Sequence, residues 1–587
     1  MKHQLSWKVG GQQGEGIEST GEIFSKALNR LGYFLYAYRH FSSRIKGGHT
    51  NNKVRVSTTK VSTIADDLDI LVAFDQETID LNYHELHSEG IIIADSKFKP
   101  VKPEDTEAKF YAVPFTEIAA ECGTSLMKNM VAIGATCAII NLNPVVFTDV
   151  VREIFGKKGS TIVEKNMEAI YQGYAFMQEK LENMLAPLAL AQADGQPRLF
   201  MIGNDAIALG ALSAGVRIMA AYPITPASEI MEYLIDKLPE VGGTVIQTED
   251  EIAAATMAIG ANYAGVRSFT ASAGPGLSLM IEAIGLAGMT ETPLVIVDTQ
   301  RGGPSTGLPT KQEQSDLMAM VYGTHGEIPK VVIASSTVEE AFHDTVESFN
   351  IAEEYQCPVI LLSDLQLSLG KQTVDPFDFN NIEIRRGKLK RDEIISEDEK
   401  AYFNRYELTD DGVSPRVIPG TKNGIHHVTG VEHDETGRPS ESSANRQLQM
   451  DKRMRKLDKL PEHFPNPITV HAPHEKPDLL LIGFNSTRGA IEETMSRLEK
   501  EGIEVNHMHI RLIHPFPTSA VLPFIAAAKT VLVVENNATG QLANLIKMNV
   551  GYIDKIKSLL KYDGNPFQPI QLYNGSKEVL QHVYKYS

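Results

Sequence analysis

Short apolar runs alternate with amphipathic stretches along most of this 587-residue chain. From residue 6, SWKVGGQQGEGIESTGEIFSKALNRLG reads as a strand, a glycine loop and an amphipathic helix. DILVAF (69–74) and GIIIAD (90–95) are continuous apolar runs, the pattern of strands buried on both faces of a parallel sheet. VVFTDVVREIFG and AIYQGYAFMQEKLENM read as helices, so residues 1–185 are predicted as one α/β unit. Periodicity fails in LALAQADGQPRLF, and residues 186–198 are predicted as a linker. Strand-like runs at GTVIQT, RSFTAS, PLVIVDT and PVILLSD, separated by helical or glycine-rich segments, predict a second unit with a parallel sheet over 199–370. Residues 371–470 are polar and aperiodic, which predicts an extended arm or linker lying on a neighbour. DLLLIGF, EVNHMHI and TVLVVEN open a third α/β unit over 471–587.

Composition narrows the class. A 42% hydrophobic and 22% charged chain is ordinary for a globular enzyme. The net charge of −18 is spread along it and no basic stripe stands out, so nucleic acid is not an expected partner. No run of about 18 apolar residues appears, and MKHQLSWKVGGQQGEG lacks the apolar core of a signal peptide. No membrane partner is expected, and a cytoplasmic location is. The cysteines, Cys122, Cys137 and Cys357, are far apart and form no CxxC. They read as buried thiols and are too few for the four thiolates of an iron–sulfur cluster.

The candidate chemistry sits mostly in the second unit. In QTEDEIAAATMAIGA (247–261) three consecutive carboxylates, Glu249, Asp250 and Glu251, head a helix of small residues, a surface built for close approach. In AAYPITPASEIMEYL, Pro223 and Pro226 stiffen a strand-to-helix loop around Thr225. This is the carboxyl end of a parallel strand, where ligands sit in such sheets, although a stiff turn alone is the plainer reading. TASAGPGLSLM is a second glycine-rich turn of this type. In DTQRGGPSTGLPTKQEQSDL, Arg301 heads a glycine-rich loop that also carries Thr310, and a guanidinium fork there matches a carboxylate. In the first unit, GGQQGEG (10–16) presents backbone N–H groups at a helix start but is not GxGxxG. FSSRIKGGHTNNKVRV reads as a basic loop with Arg44, Lys46, His49, Lys53 and Arg55, either an anion or partner surface or simply solvated. His426, His427 and His433 in the polar arm read as solvated, and no metal site is assigned to the chain. ENNATGQL (535–542) reads as a turn or an interface contact.

Taken together, YPITP, TEDEIAAATMAIGANYAG, TASAGPGLSLM and RGGPSTGLPT resemble the α subunit of 2-oxoacid:ferredoxin oxidoreductases. VGGQQGEGIESTGEIFSKAL with SSRIKGGH resembles that family's γ unit, fused ahead, and LIHPFP with ENNATGQL its transketolase-C-terminal-like unit. The implied fold is α/β throughout: a γ-like domain, a thiamine-pyrimidine-type parallel-sheet domain and a transketolase-C-terminal-like domain, with the polar arm between the last two. The resemblance implies thiamine diphosphate as cofactor, coenzyme A as co-substrate and ferredoxin as electron acceptor. It places Mg²⁺, a GDG motif and the cysteine-bound 4Fe–4S cluster on a β subunit, in an expected α₂β₂ assembly. YDGNPF, from residue 562, lacks the first glycine of GDG. Carried over position by position, Glu251 is the carboxylate that bonds the pyrimidine N1′. Tyr222, Pro223 and Ile224 line the cofactor, and Thr225, Arg301 and Thr310 meet the substrate carboxylate and oxo group. Gly11, Gly14, Ser43 and Arg44 become a coenzyme A or partner contact. The expected substrate is 2-oxoglutarate. The alternatives are pyruvate, the E1β-like subunit of a lipoyl-dependent dehydrogenase, and a non-catalytic scaffold.

Overall fold

The structure is a computed structural model that describes residues 1–42, 47–182, 187–392, 394 and 402–586. It divides into two units. The first comprises Met1–Met201, Leu369–Pro376 and Gln568–Ile570; the second comprises Ile202–Ser368, Phe377–Phe567 and Gln571–Ser587.

An eight-stranded sheet organises the first unit. Gln4–Gln12 lies centrally, parallel to Leu68–Ala73, which continues through Leu86–Asp95 to Lys109–Val113. On its other side runs His49–Ser57, antiparallel to it, followed by Phe34–His40, antiparallel to His49–Ser57, then Lys371–Val374 and Leu199–Ile202. One face carries the apolar core, with Trp7 stacked on Phe24 at 4.4 Å under the helices Ile17–Arg30, Lys128–Ile140 and Ser160–Lys180. The last two helices touch main chain to main chain. A methyl on Gly134 would lie 2.0 Å from the Ile170 carbonyl oxygen, and one on Gly173 2.2 Å from that of Val131.

Three predictions for these segments need correction. The stretch read as a basic loop is in its described part the strand His49–Ser57, with Lys53 and Arg55 buried. The alternation that signals a strand was hidden because polar residues fill one side of it. Lys53 donates to Glu85 at 2.9 Å and the neighbouring Lys8 pairs with the other oxygen, so two ammonium groups share one carboxylate. Burial lowers Lys8 to about 8; it also tends to raise Glu85, but Lys8 and Lys53 outweigh that and bring Glu85 to about 2. Second, the predicted linker is packed: Leu188 and Ala191 are buried, and Leu188 N–H donates to the Ile139 carbonyl at 3.1 Å.

The second unit holds a seven-stranded sheet in the order Leu512–His514, Val331–Ala334, Pro358–Asp364, Leu294–Gln300, Ser268–Ser272, Ile218–Ala221, Thr244–Gln247. All are parallel except Leu512–His514, which comes from the predicted third unit. A five-stranded sheet runs Ile468–His471, Val505–Ile510, Leu479–Gly483, Thr530–Glu535, Ile556–Leu560. One apolar core joins the two sheets, with Ile284 and Leu294 in the same cluster as Ile482 and Val533.

The polar arm supplies the third correction. Its first residues form the strand Lys371–Val374, and its described residues from Phe377 on belong to the second unit. Its anchors are charges, invisible to a hydrophobic pattern. Lys452 and Lys456 donate to the two oxygens of the fully buried Glu291, at 2.7 and 2.8 Å. Arg405 donates to the Glu291 carbonyl at 2.6 Å and Arg416 to that of Asn262 at 3.0 Å. Arg416 also pairs with the buried Glu353. Of the three arm histidines, His433 is buried against the Tyr406 ring at 3.9 Å, His426 is half-buried and His427 is exposed. Cys137 and Cys357 are buried, and burial pushes the Cys357 thiol up to about 12.

Candidate functional site

Four adjacent strands of the seven-stranded sheet deliver the distinctive motifs to one edge. Ile218–Ala221 runs into Tyr222–Pro226, Thr244–Gln247 into the three carboxylates, Ser268–Ser272 into the Gly274–Gly276 turn, and Leu294–Gln300 into Arg301. They are parallel, with Ala221 opposite Gln247 and Ser272 opposite Asp298, so their carboxyl ends coincide. The chain crosses from one side of Ile218–Ala221 to the other at this point, a topological switch that opens a crevice for ligands.

The three carboxylates separate by role. Glu249 is exposed. Asp250 is the N-cap of the helix Glu251–Tyr263: its backbone is extended and its side chain accepts the Ala253 N–H at 2.7 Å. Glu251 opens the helix and is only 6% exposed. A methyl on Gly276 would stand 2.7 Å from Glu251 Oε1 and 2.0 Å from Ser272 Oγ. The carboxylate therefore rests on bare main chain, and only glycine allows it.

The other end of that turn carries a second carboxylate. A methyl on Gly274 would lie 2.8 and 2.9 Å from the oxygens of Asp316. Burial, with Glu313 adding to it and Arg301 opposing, raises Asp316 to about 6. Asp298 is fully buried with neither oxygen hydrogen-bonded, and burial, then Asp316, push its carboxyl well above the ordinary range. Arg301 is 7% exposed; its guanidinium donates to the carbonyls of Thr225 at 2.6 Å and Thr306 at 3.4 Å, while its Nε lacks a partner. Burial lowers Arg301, opposed by Asp316.

The structure thus brings Glu251, Thr225 and Arg301 to one sheet edge, linked through the Gly274–Gly276 turn and Asp316. Thr310 is half-buried on the loop Arg301 begins, which closes through Gly302 N–H on the Lys311 carbonyl at 3.0 Å. Tyr222 and Pro223 are exposed, and Ile224 is half-buried beside Thr225. Asp298, Asp316 and the glutamines behind them were not singled out in the sequence, although an acid in the apolar run PLVIVDT was a signal. Gln312 and Gln314 alternate inward along the following segment. Gln314 donates to Asp364 at 2.8 Å and to the Phe484 carbonyl at 3.1 Å; its main-chain N–H donates to the carbonyl of Asn536 in the ENNATGQL turn, and its side-chain oxygen accepts the Asn536 N–H.

In the first unit, Gly11 is a packing position, with Ile17, Glu15 and Phe74 within 2.8–3.1 Å of an added methyl. Gly14 is exposed at φ 99° with open space beside it. Ser43 and Arg44 lie outside the described residues.

Residues 209–452 match the family described as "Pyruvate flavodoxin/ferredoxin oxidoreductase, thiamine diP-bdg". Residues 6–176 match "Pyruvate ferredoxin/flavodoxin oxidoreductase", and 477–572 "Pyruvate:ferredoxin oxidoreductase core domain II". The "2-oxoacid:ferredoxin oxidoreductase subunit alpha" of Saccharolobus solfataricus is 32% identical over 98% of both chains. The chain belongs to the 2-oxoacid:ferredoxin oxidoreductases, as an alpha subunit. A 2-oxoglutarate:ferredoxin oxidoreductase structure from Magnetococcus marinus matches this alpha subunit with a TM-score of 0.92 at 37% identity, covering 99% of this chain and 100% of that one. The 2-oxoglutarate synthase subunit KorA of Methanothermobacter marburgensis is 36% identical over 64% of this chain and 97% of its own length. The γ-like region is fused ahead of the thiamine-binding region, as the motif resemblance implied.

Proposed function

We propose that this alpha subunit acts with a β subunit to decarboxylate 2-oxoglutarate oxidatively, giving an acyl-coenzyme A and CO₂, with ferredoxin as electron acceptor. The observation that carries the reading is Glu251: a carboxylate on a residue only 6% exposed, at the amino end of a helix and held against a bare glycine turn. A carboxylate at the carboxyl-end crevice of a parallel sheet is placed to accept a donor from a ligand.

The residues fit the aminopyrimidine of thiamine diphosphate. Ala253, Ala254 and Gly276 leave room for a flat ring, and Glu251 exchanges a proton at the pyrimidine N1′. Bound there, the cofactor supplies the electron sink that lets a 2-oxoacid lose CO₂. Tyr222, Pro223 and Ile224 complete the ring's surroundings. Arg301, with Thr225 and Thr310, receives the substrate carboxylate and oxo group. The diphosphate, Mg²⁺ and 4Fe–4S sites are assigned to the β subunit, in an α₂β₂ assembly. Exposed Tyr222, Ile252, Met257, Leu279 and Leu308 stand on the elements that form the site, and such apolar exposure suits a surface a partner covers. Gly14 and the loop around it are assigned to coenzyme A or a partner, together with Gly11, Ser43 and Arg44. The choice of 2-oxoglutarate is supported by the Magnetococcus marinus relative, described with 2-oxoglutarate, coenzyme A and succinyl-CoA bound. A cytoplasmic location belongs to the same reading; among the described residues no helix is long and apolar enough to cross a membrane.

The test is kcat/KM for 2-oxoglutarate and pyruvate with Arg301→Lys and Arg301→Ala in the reconstituted complex. Loss of a bond to a charged group costs about 1.5–3 kcal/mol, roughly ten- to a hundredfold in kcat/KM. The loss is expected with both acids because both carry the carboxylate at issue. A loss confined to 2-oxoglutarate would move Arg301 to the far carboxylate and overturn this assignment.

A further inference from the structure

The return leg of the Arg301 loop is held from the five-stranded sheet. The turn Phe484–Ser486 follows the strand Leu479–Gly483 and meets that leg at alternate residues. Gln314 donates to the Phe484 carbonyl at 3.1 Å and Gln312 to the Ser486 hydroxyl at 3.4 Å. Asn485, between them, reaches Asp316 through Gln300. Gln300 ends the strand Leu294–Gln300, directly before Arg301, and its Oε1 accepts the Asp316 N–H at 3.2 Å. Its side chain thus joins the residue before the loop to a residue after it. Gln300 Nε2 donates to Asn485 Oδ1 at 3.1 Å and to the Ser363 carbonyl at 3.2 Å. Asn485 Nδ2 donates to the carbonyls of Ser335 and Leu362, both at 2.8 Å. One side chain therefore ties together the carboxyl ends of three neighbouring strands, Val331–Ala334, Pro358–Asp364 and Leu294–Gln300. Carbonyls only accept and an N–H only donates, so neither amide can turn over without losing its bonds. Gln300 and Asn485 are both fully buried. Asn485 stands at φ 47°, a left-handed conformation that Asn adopts more readily than most side chains, and His509 Nε2 donates to its carbonyl at 2.9 Å.

We propose that Asn485 is a positioning residue for the 2-oxoacid. It fixes the Gln300 amide, Gln300 fixes the two ends of the loop, and the loop presents Arg301 to the substrate carboxylate. The proposal rests on Arg301 and its loop receiving the substrate. A saturated, buried amide network suits this task, because each bond sets the direction of the next and water does not compete for it. Glu251 and the glycine turn stand at the ends of two other strands, Thr244–Gln247 and Ser268–Ser272, to which Asn485 makes no bond. Loosening Asn485 should therefore act on the substrate and spare the cofactor.

The test is steady-state kinetics of the reconstituted complex with 2-oxoglutarate, with kcat expressed per thiamine-diphosphate-loaded site and thermal melting measured alongside. Asn485→Gly keeps the left-handed turn and removes the amide. Gln300→Met keeps the length of the side chain and removes its bonds to Asp316 and Asn485. Each should raise KM by about two- to tenfold, the scale of one uncharged hydrogen bond. Each should leave kcat per loaded site and the affinity for thiamine diphosphate within about twofold of wild type, the pattern of lost ground-state binding. The double variant should be no worse than the worse single one, because two members of one path do not add. A wild-type KM with only the melting temperature lowered would make Asn485 a part of the core and nothing more, and overturns the proposal. So does a double variant in which the two single effects multiply. If Asn485→Gly fails to assemble with the partner subunit, Gln300→Met decides the matter by its own KM. Arg301→Lys separates the two layers. An unchanged KM there means that the loop does not receive the substrate, and the functional reading itself fails. A raised KM there beside a wild-type KM in Gln300→Met means that only the positioning role fails.

Discussion

Gly276→Ala tests the placement of Glu251 without touching its chemistry. The added methyl would meet Ser272 Oγ at 2.0 Å and Glu251 at 2.7 Å (Oε1) and 2.8 Å (Cγ), so both side chains must move. Overpacking a tight site costs about 1–3 kcal/mol. Against this, Ala is better than Gly inside a helix by about 1 kcal/mol, and Gly276 is the third residue of the helix Gly274–Met289. The net loss of stability should be about 0–2 kcal/mol. The functional loss should be larger, because a displacement of about 1 Å at a reacting group costs on the order of a hundredfold. Ser272 Oγ has no hydrogen-bond partner, so Ser272→Ala removes the worst clash at little cost. The double variant Ser272→Ala/Gly276→Ala should therefore melt close to wild type yet remain slow, since Glu251 is still displaced. The assay pairs thermal melting of the alpha subunit with coenzyme-A-dependent dye reduction by the complex. Turnover in the double variant recovering along with its melting temperature would refute the reasoning.

Glu251→Gln preserves shape and removes proton exchange; turnover should fall by about 10²–10⁴ with the partner still bound, and a variant keeping more than about half of wild-type activity would show that Glu251 is not the pyrimidine partner and make Glu249 the next to test. Glu291→Gln leaves Lys452 and Lys456 buried without their carboxylate and should cost about 3–5 kcal/mol, read as a lowered melting temperature. Burial pushes Glu291 up, but Lys456, Lys452 and Arg405 outweigh it and hold it well below the carboxylate range. Its contribution is therefore complete above the unfolded carboxylate range and lost as pH falls below it, so wild type should lose stability below about pH 4 more steeply than Glu291→Gln. Gly307→Ala puts a methyl at φ 48°, 2.1 Å from the Gly302 carbonyl oxygen, and should raise KM by distorting the Arg301 loop; an unchanged KM would argue that this loop does not hold substrate.

Much of this site was legible because its backbone requirements leave marks in the sequence. YPITP, the three carboxylates before small residues, GPG and RGG each stand at the end of an apolar run, and four such endings predict one sheet edge. Among the carboxylates, Asp250 caps the Ala253 N–H and Glu251 is buried. Less visible were groups whose partners are distant in sequence. Asp316 acquires its surroundings from Gly274 and Arg301, and Lys53 from Glu85 on a segment 32 residues away. Hydropathy also misreads any segment buried by charge, which is why the polar segment read as an extended arm or linker.

That arm has a consequence for the site. The helices Glu251–Tyr263 and Gly274–Met289 begin at the candidate site and end under the arm. Arg416 donates to the carbonyl of Asn262, Arg386 to that of Gly265 at 2.8 Å, Arg405 to that of Glu291, and the Tyr406 hydroxyl to that of Thr290. Cations at the carboxyl ends of helices satisfy the carbonyls left open there and favour the helix dipole. Glu251 sits at the amino end of one of these helices, where a negative charge is favoured. A helix is stiff along its axis, so fixing its far end fixes how far Glu251 and Gly276 project into the crevice. No Cβ fits between Glu251 and the turn at Gly276, where an added methyl would stand 2.7 Å from Oε1. The buried ion pairs of the arm supply the rigid support on which such placement depends.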